Sequence, residues 1–167
     1  MEINLENVKL ETFDKTKLEH VKILEKFPCN KSKDFVYDIR ERLQQNCGKK
    51  FFPFQTAYFI VSMGNIIGYF YISRIQNDDA SLEYFLLEEY RGKRYGSLCL
   101  GEVSEYLFNH YNIRKLIVDV DTSNLASISC ALSCGFYPDE DDYLERNMQG
   151  RMQYYLDNYN YMNKRKR

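Results

Sequence analysis

The sequence predicts an α/β (α+β) domain built on one mixed, mostly antiparallel sheet, and two observations lead to this prediction. Residues 56–87 contain three consecutive apolar runs separated by turn-forming residues, which is typical of an antiparallel meander. Residues 96–121 then show a helical period followed by another extended run. A strand, a helix and a strand in that order form a crossover, so the strands on either side of the helix are expected to be parallel.

The segment before the meander predicts one strand and two helices. Residues 3–10 alternate apolar and polar side chains, as a half-buried strand does. Asp14 stands at the N-cap position of a first helix that ends before Pro28. The apolar stripe of this helix is Leu18, Val21, Leu24 and Phe27. A second helix is predicted over residues 33–46, and Gly48 follows its end.

The meander has the clearest strand pattern in the chain. Residues 56–62 and 65–73 are rich in β-branched and aromatic side chains, and residues 63–65 (MGN) supply the turn between them. Residues 77–79 (NDD) form a second turn, and residues 80–87 follow as the third strand.

The crossover helix is predicted over residues 96–111. One face of this helix carries Leu100, Val103, Leu107 and Tyr111. Gly101 inside the helix indicates a close neighbour, because glycine costs about 1 kcal/mol relative to alanine there. Residues 114–121 follow as a strand buried on at least one face.

The end of the chain is less clearly patterned. Residues 143–148 and 151–156 predict a final hairpin around Gly150, with a helix as the alternative for the second segment. The acidic run at residues 139–142 lacks the glycine and the later glutamate of a calcium loop, so we expect a solvated turn. The alternative is a clamp for a cationic substrate such as a polyamine. We expect a single domain over residues 1–160 and a basic, solvated tail over residues 161–167.

Composition narrows the class of protein. The chain has 167 residues, of which 44% are hydrophobic, and this is enough for one domain with a core of its own. A net charge of -1 argues against a polyanion-binding protein, and no run approaches the roughly 18 apolar residues of a membrane helix. We therefore expect no nucleic-acid or membrane partner. The N-terminus lacks the basic start and apolar run of a signal peptide.

The cysteines and histidines point to a reducing compartment and away from metal binding. The five cysteines include no CxxC pair, so neither a disulfide framework nor a zinc site is expected, and we predict a cytoplasmic protein. His20 and His110 have no partner at metal-ligand spacing.

The segment that joins the third strand to the crossover helix, residues 88–100 (EEYRGKRYGSLCL), predicts a phosphate site. A loop that opens a helix directs free backbone N–H groups to one point at the positive end of the helix dipole. Two glycines allow a bulky anion to approach, and three cations add charge. These residues are Gly92, Gly96, Arg91, Lys93 and Arg94. The spacing fits neither GxxxxGK[ST] nor GxGxxG.

This loop resembles the pyrophosphate loop of the GNAT N-acetyltransferases, whose pattern is Q/R-x-x-G-x-G/A. Arg91 and Gly96 match the two ends of the pattern, and Gly92 belongs to a common Y-R-G-K variant. Arg94 replaces the middle glycine. A second family segment, N-x-x-A/S followed by G-F, is matched by residues 124–136 with the expected spacing.

The resemblance implies a single GNAT-like domain whose sheet splays at the two parallel strands and binds acetyl-CoA there, without a metal. Its reaction is direct attack of a primary amine on the thioester. The cofactor-binding residues that it implies are Leu86 and Leu87 for pantetheine, Arg91, Gly92, Lys93, Arg94, Gly96 and Ser97 for the pyrophosphate, and Asn124 with Ser127. The acceptor stays open among polyamines, protein N-termini, lysine side chains and small amines, and a homodimer is left open.

The catalytic residues are less well marked. Glu83 is the nearest carboxylate for a general base, with an ordinary strand position as the alternative. The family often protonates the leaving thiolate with a tyrosine seven residues after the asparagine, but Ala131 stands there, and Tyr137 is the nearby substitute. Cys130 and Cys134 lie near the expected thiol, with packing as the alternative role. The alternative function is a catalytically degenerate CoA-binding or protein-interaction module of the same fold.

Overall fold

A computed structural model describes residues 2–28, 39–45, 56–74, 76–138 and 150–164. In this part of the chain the strands are β1 (Glu2–Asn4), β2 (Lys9–Glu11), β3 (Thr56–Ser62), β4 (Asn65–Arg74), β5 (Asp79–Leu86), β6 (Lys115–Asp121), β7 (Tyr137–Pro138) and β8 (Arg151–Asp157). They form one eight-stranded sheet in the order β1-β2-β3-β4-β5-β6-β8-β7. Neighbouring strands are antiparallel except for β5 and β6. The predicted mixed, mostly antiparallel sheet is confirmed.

The helices cover both faces of this sheet. They are α1 (Leu18–Ile23), α2 (Ile39–Gln45), α3 (Tyr95–His110), α4 (Leu125–Ser133) and α5 (Tyr159–Lys164), with single 3-10 turns at Leu24–Lys26 and Glu88–Tyr90. None of these described helices is both long and apolar enough to cross a membrane.

The first strand that the sequence predicts is in fact a small hairpin. The N–H of Leu5 donates to the carbonyl oxygen of Val8 at 3.1 Å, which closes a turn between β1 and β2. Ile3 then pairs with Leu10, and both side chains are buried. The prediction of one continuous strand is wrong because a turn interrupts the alternation in its middle.

The first helix differs from its prediction at its start. Helix α1 begins at Leu18, and Asp14 forms a turn before it by accepting hydrogen bonds from Thr16 N and Oγ1 at 2.9 and 2.7 Å. Leu18 is 65% exposed and Val21 is 43% exposed, so the first half of the predicted stripe does not face the core. His20 takes that place, with Leu24 and Phe27.

The second predicted helix is seen over Ile39–Gln45, where Ile39 and Leu43 are buried. Residues 33–38 and 46–48 of that prediction lie outside the described residues. The acidic run at 139–142 and the first arm of the predicted final hairpin, residues 143–148, also lie outside them. The second arm is confirmed as a strand, β8.

The meander and the crossover are confirmed. Met63 and Gly64, with φ values of 48° and 78°, form the tight turn between β3 and β4. Strand β5 leads through α3 to β6, and the two strands pair in parallel from Asp79 with Lys115 to Leu82 with Val118.

Two apolar clusters lie on opposite sides of the sheet, and we name the two faces after the helices that cover them. The α3 face includes Phe70, Ile72, Leu82, Leu100, Leu107 and Leu116. The α1 face includes Phe13, Phe27, Leu43, Phe59, Tyr69 and Leu87, which pack with α1 and α2. Because side chains alternate along a strand, adjacent residues of β5 contribute to different faces.

The last described helix, α5, contacts the rest of the domain. Tyr161 on α5 is buried, and its hydroxyl donates to Asp78 Oδ2 at 2.8 Å. Helix α5 ends at Lys164, beyond the predicted boundary at residue 160. Residues 165–167 lie outside the described part of the chain.

Candidate cofactor and acceptor site

A gap opens in the sheet between the two parallel strands. The last pair that joins β5 and β6 is Leu82 with Val118, although β5 continues to Leu86 and β6 to Asp121. On its other side β5 stays paired with β4 as far as Gly68 with Leu86. One edge of β5 is therefore left without a neighbouring strand from residue 83 onward, which is the splay that the family resemblance implies.

The backbone at this open edge has a defined orientation. Leu87 N–H donates to the carbonyl oxygen of Ile67 at 2.9 Å, so the pair of Gly68 and Leu86 is not hydrogen-bonded. The N–H and C=O groups of Leu86 consequently point away from β4 and into the gap. Tyr84 lies two residues earlier and has the same orientation. Leu87 uses its N–H on β4 and buries its side chain on the α1 face, so its backbone N–H does not face the gap, whereas the backbone of Tyr84 does.

The loop after β5 brings unpaired N–H groups to the end of this gap. Gly92 and Arg94 both have left-handed backbone, with φ values of 71° and 66°. Helix α3 begins at Tyr95, and the side chain of its N-cap residue, Arg94, makes no capping hydrogen bond. The first N–H groups of a 16-residue helix therefore face outward at its positive end, where an anion is favoured.

Helix α4 supplies the opposite wall. Asn124 Oδ1 accepts a hydrogen bond from Ser127 N at 3.1 Å, so Asn124 is the N-cap of α4. Several side-chain contacts connect α4 to the rest of the site. Among them, Tyr84 Oη lies 3.3 Å from Ser127 Oγ, and Ser97 Oγ lies 3.2 Å from Cys130 Sγ.

These elements enclose a cleft of about 430 Å³. Its lining residues are Tyr84, Leu86, Arg91, Gly92, Arg94, Tyr95, Gly96, Ser97, Asn124, Ala126, Ser127, Ser129 and Cys130. Eight of the ten residues predicted to bind a cofactor are among them. The other two, Leu87 and Lys93, do not line the cleft. The Lys93 Nζ lies 5.9 Å from the ring centroid of Tyr90. The sequence analysis missed Tyr84, Tyr95, Ala126 and Ser129.

Tyr84 is one of the cleft residues that sequence reasoning missed. Its ring stacks on Phe70 with centroids 6.0 Å apart and an interplanar angle of 16°. Burial raises the pKa of the Tyr84 hydroxyl, and the neighbouring Cys130 thiol raises it further, so the hydroxyl keeps its proton. The sequence signal that could have identified Tyr84 is the two-residue period of a strand: Tyr84 lies two residues before Leu86, which was predicted to bind the cofactor.

Gly96 permits α3 and α4 to approach each other at the cleft. A Cβ at this position would lie 2.8 Å from Cys130 Sγ and 3.5 Å from the Tyr84 ring. Close packing against Cys130 therefore favours a glycine at this position. At Gly101, the other glycine of α3, a Cβ would meet Cys134 Sγ at an ordinary 3.8 Å.

The α1 face of the gap carries carboxylates. Glu83 is exposed on this face, and its Oε1 accepts a hydrogen bond from Tyr69 Oη at 2.9 Å. The Tyr69 ring stacks on Phe85, with centroids 5.6 Å apart. On β6 the first residue after the last pair is Asp119, whose Oδ1 accepts from Arg151 Nε at 3.0 Å. One carboxylate thus stands on each strand where the two strands separate.

Residues 21–137 match the acetyltransferase (GNAT) domain family, which covers more than half of the sequence. The chain belongs to the GNAT acetyltransferase family. The predicted family is confirmed, and with it the assignment to acetyltransferases. No curated protein matches the sequence.

Solved structures share the GNAT fold at low sequence identity. A GNAT-family acetyltransferase from Bacillus anthracis is 15% identical, with a TM-score of 0.66 over 93% of this chain and 96% of that one. The N-acetyltransferase PseH from Campylobacter jejuni, in complex with acetyl coenzyme A, is 18% identical, with a TM-score of 0.62 over 90% and 98%. A chimera of the spermidine N-acetyltransferase SpeG from Vibrio cholerae and hSSAT is 16% identical, with a TM-score of 0.66 over 95% and 99%.

Two residues of this GNAT domain lie away from the places that the sequence predicts. The Tyr137 hydroxyl donates to Asp157 Oδ2 at 2.5 Å, and Asp157 pairs with Lys115 at the first residue of β6. The gap lies at the other end of β6, so Tyr137 does not reach the cleft. Cys134 does not line the cleft: its Sγ donates to the carbonyl oxygen of Ser97 at 3.2 Å, and burial raises the pKa of its thiol.

The described ranges of this GNAT domain contain no group of three or more histidine, cysteine, aspartate or glutamate side chains that could hold a metal ion.

Proposed function

We propose that this GNAT-family protein transfers the acetyl group of acetyl-CoA to a primary amine by direct attack of the amine on the thioester. One observation carries the proposal. The gap between β5 and β6 joins a cleft on the α3 face, opened by a helix N-terminus, to a pair of carboxylates on the α1 face. A thioester that lies in the gap is therefore accessible to an amine from the other side of the sheet.

The proposed cofactor site uses the backbone at two places. The pyrophosphate lies at the start of α3, where the N–H groups of Lys93, Arg94, Gly96 and Ser97 and the charge of Arg91 stabilise it. Pantetheine extends along the open edge of β5, where Leu86 and Tyr84 direct backbone N–H groups into the gap. Asn124 and Ser127 at the start of α4 form the other wall. The N–H donors at the start of α3 suit a pyrophosphate, and the cleft that they border suits the arm that follows it.

The acceptor side supplies the groups that the reaction needs. An amine attacks only when it is deprotonated, so a base must take its proton. Glu83 is the proposed base, directly or through one water, and its hydrogen bond from Tyr69 holds the carboxylate in place. The N–H groups of Tyr84 and Leu86 are placed to donate to the oxyanion that develops on the thioester carbonyl.

The exposed carboxylate of Glu83 also favours a cationic acceptor. It stands on β5 where the two strands separate, so an ammonium group that approaches the gap meets a negative charge there, whereas Asp119 on β6 is already paired with Arg151. Polyamines, protein N-termini, lysine side chains and small amines all have this chemistry. A spermidine N-acetyltransferase is among the proteins with a similar fold.

The alternative is a GNAT module that binds CoA, or a protein partner, without catalysis. Arg94 in place of glycine and Ala131 in place of tyrosine favour it. Arg94 adopts the left-handed backbone that glycine prefers, so the loop keeps its shape in spite of the substitution. This observation favours the enzyme over the degenerate module.

Calorimetric titration with acetyl-CoA tests the proposal first. We expect micromolar affinity, about -8 kcal/mol, which weakens in Asn124→Ala. A panel of amines is then screened by release of the CoA thiol. Glu83→Gln is expected to keep the affinity for acetyl-CoA and to lose most of the turnover, about 100-fold. Glu105→Gln, on the exposed face of α3, is the matched carboxylate control.

The outcomes separate the two functions. Thiol release that depends on an amine and on Glu83 supports the acetyltransferase. Binding without turnover on any amine supports the degenerate module. No binding of acetyl-CoA overturns the proposed function.

A further inference from the structure

We propose that the Tyr84 hydroxyl, presented from β5, donates a hydrogen bond to the sulfur of the thioester and stabilises the CoA thiolate as it leaves. The inference rests on the proposed function and adds a catalytic residue to it. In the family a tyrosine on the helix corresponding to α4 often serves the leaving sulfur, and here that position is Ala131. The hydroxyl comes from the facing strand instead.

The position of Tyr84 supports this role. Its side chain lies on the α3 face and lines the cleft, and its hydroxyl contacts Ser127 and Cys130 on α4. Ser127 and Ala131 are four residues apart and share one face of the helix. Ala131 is 1% exposed and offers only a methyl group. The Tyr84 hydroxyl thus lies within one helical turn of position 131, where the family often has a tyrosine hydroxyl and this chain has none.

The path of the cofactor brings its sulfur to the same place. The pyrophosphate end lies at the start of α3, and the gap closes at the pair of Leu82 and Val118. A chain that follows the open edge of β5 from the loop passes Leu86 first and meets Tyr84 about 7 Å further on, two strand residues along. The thioester end therefore lies beside Tyr84, where the gap narrows.

The acid–base properties decide whether this hydroxyl transfers its proton to the leaving sulfur or only donates a hydrogen bond to it. In the reaction the amine nitrogen bonds to the carbonyl carbon, the C–S bond breaks, and its electron pair goes to sulfur. The amine proton goes to Glu83 and then to water. A thiol has an ordinary pKa of about 8.5, and burial raises the pKa of Tyr84 above its own ordinary value of 10.0. The phenol therefore holds its proton more strongly than the thiol does, so it donates a hydrogen bond while the thiolate takes its proton from water.

The surroundings of the ring keep the hydroxyl available. Stacking on Phe70 fixes the plane of the ring, and the first turn of α3 packs against its edge at Gly96. The contact with Ser127 Oγ is long, at 3.3 Å, and both groups are neutral, so a developing thiolate is the stronger acceptor.

The test compares the binding of CoA with that of desulfo-CoA, which lacks the sulfur. The wild-type protein is expected to bind CoA about fivefold more tightly than desulfo-CoA, because one hydrogen bond contributes about 1 kcal/mol. Tyr84→Phe keeps the ring and removes the hydroxyl, so this ratio is expected to fall to about one. Turnover of acetyl-CoA is expected to fall 10- to 100-fold with little change in KM. Tyr137→Phe, whose hydroxyl lies at the other end of the sheet, is the matched control.

A second measurement does not depend on the acceptor. The ultraviolet absorbance of the thiolate gives the pKa of the bound CoA thiol, and that pKa is expected to be higher in Tyr84→Phe than in the wild type. An unchanged affinity ratio and an unchanged thiol pKa in Tyr84→Phe would overturn the role of Tyr84 alone. Failure of the wild type to bind either CoA or desulfo-CoA would overturn the proposed function and this inference with it.

Discussion

Arg91 Nε donates a hydrogen bond to the carbonyl oxygen of Leu86 at 2.9 Å, which ties the first cation of the loop to the last residue of β5. The guanidinium carbon also lies 5.0 Å from the ring centroid of Phe85. Arginine has five N–H donors, so this anchor leaves the two terminal amino groups available at the cleft. The residue that opens the loop is therefore held in position before any ligand binds.

Arg91→Ala is expected to weaken acetyl-CoA binding at least 10-fold, because it removes charge-assisted hydrogen bonds worth about 1.5–3 kcal/mol. Arg91→Lys is expected to recover part of the loss, since it restores charge without the anchor to Leu86. Calorimetric titration measures both. Lys93→Ala is the matched control, because this variant keeps the backbone N–H of residue 93 and removes only a cationic side chain that does not line the cleft. An equal loss in Lys93→Ala would contradict the role of the anchored arginine.

Arg94→Gly is expected to stabilise the protein by about 1 kcal/mol, because a residue with a Cβ is strained at a φ of 66°. Gly92→Ala is expected to destabilise it by a similar amount, although nothing lies within 4 Å of the added Cβ. Urea unfolding measures both changes.

Position 94 also tests the charge of the loop. Arg94→Gly is expected to keep or improve the affinity for acetyl-CoA. Arg94→Ala retains the strained backbone and removes only the cation, so it reports the contribution of charge. A salt-dependent loss of affinity in Arg94→Gly would show that the side chain binds the phosphates directly.

Sequence reasoning succeeded where a local pattern decides the structure. The crossover follows from a change of period, and Asn124 caps α4 with a side chain that reaches only three residues along the chain. The loop residues are recognisable because glycine and positive charge at a helix start have few other uses. These features depend on neighbours in sequence.

Other features depend on contacts that the sequence does not display. The turn that divides β1 from β2 places Asn7 where its N–H donates to Glu102 on α3, 95 residues away. Tyr84 could be assigned only once the open edge of β5 was known. Tyr137 follows closely after α4 in sequence, but β7 pairs with β8 at the far end of β6.

Gly96→Ala is expected to destabilise the protein by roughly 1–3 kcal/mol, because the new methyl group would overlap Cys130 Sγ. Alanine is otherwise the better helix former by about 1 kcal/mol. Cys130→Ala removes the sulfur, so in that background Gly96→Ala is expected to stabilise the protein. The double variant should therefore be more stable than Cys130→Ala alone. Urea unfolding of the four proteins completes the cycle. Additive effects of the two substitutions would contradict the contact.

The His20 side chain links stability to pH on the α1 face. It is 1% exposed, its Nδ1 accepts a hydrogen bond from Asp14 N at 3.0 Å, and its ring meets Phe59 edge-on. Burial lowers the pKa of His20 below its ordinary value of 6.5. Attraction to Glu11, Glu19 and Asp14 opposes the shift, and Lys17 adds to it. Protonation is therefore less favourable in the folded protein than in the unfolded chain.

The direction in which the free energy of unfolding changes with pH follows from proton linkage. Between the folded pKa and about 6.5 the unfolded chain binds more protons, so the free energy of unfolding is expected to rise with pH in this window and to level off above it. His20→Gln keeps an acceptor for Asp14 N–H and is expected to remove the slope. His110→Gln, at an exposed position, is the control and should leave the slope unchanged.

Glu11 gives a second transition at lower pH that must be kept apart from the first. Burial alone would raise the pKa of Glu11, but hydrogen bonds from Lys17 and Lys9 outweigh it and hold that pKa below 4.5. Its contribution is therefore lost only as the pH falls below that value. Urea unfolding at several pH values from about 4 to 8 separates the two. A slope above pH 5 that persists in His20→Gln would show that another group titrates there.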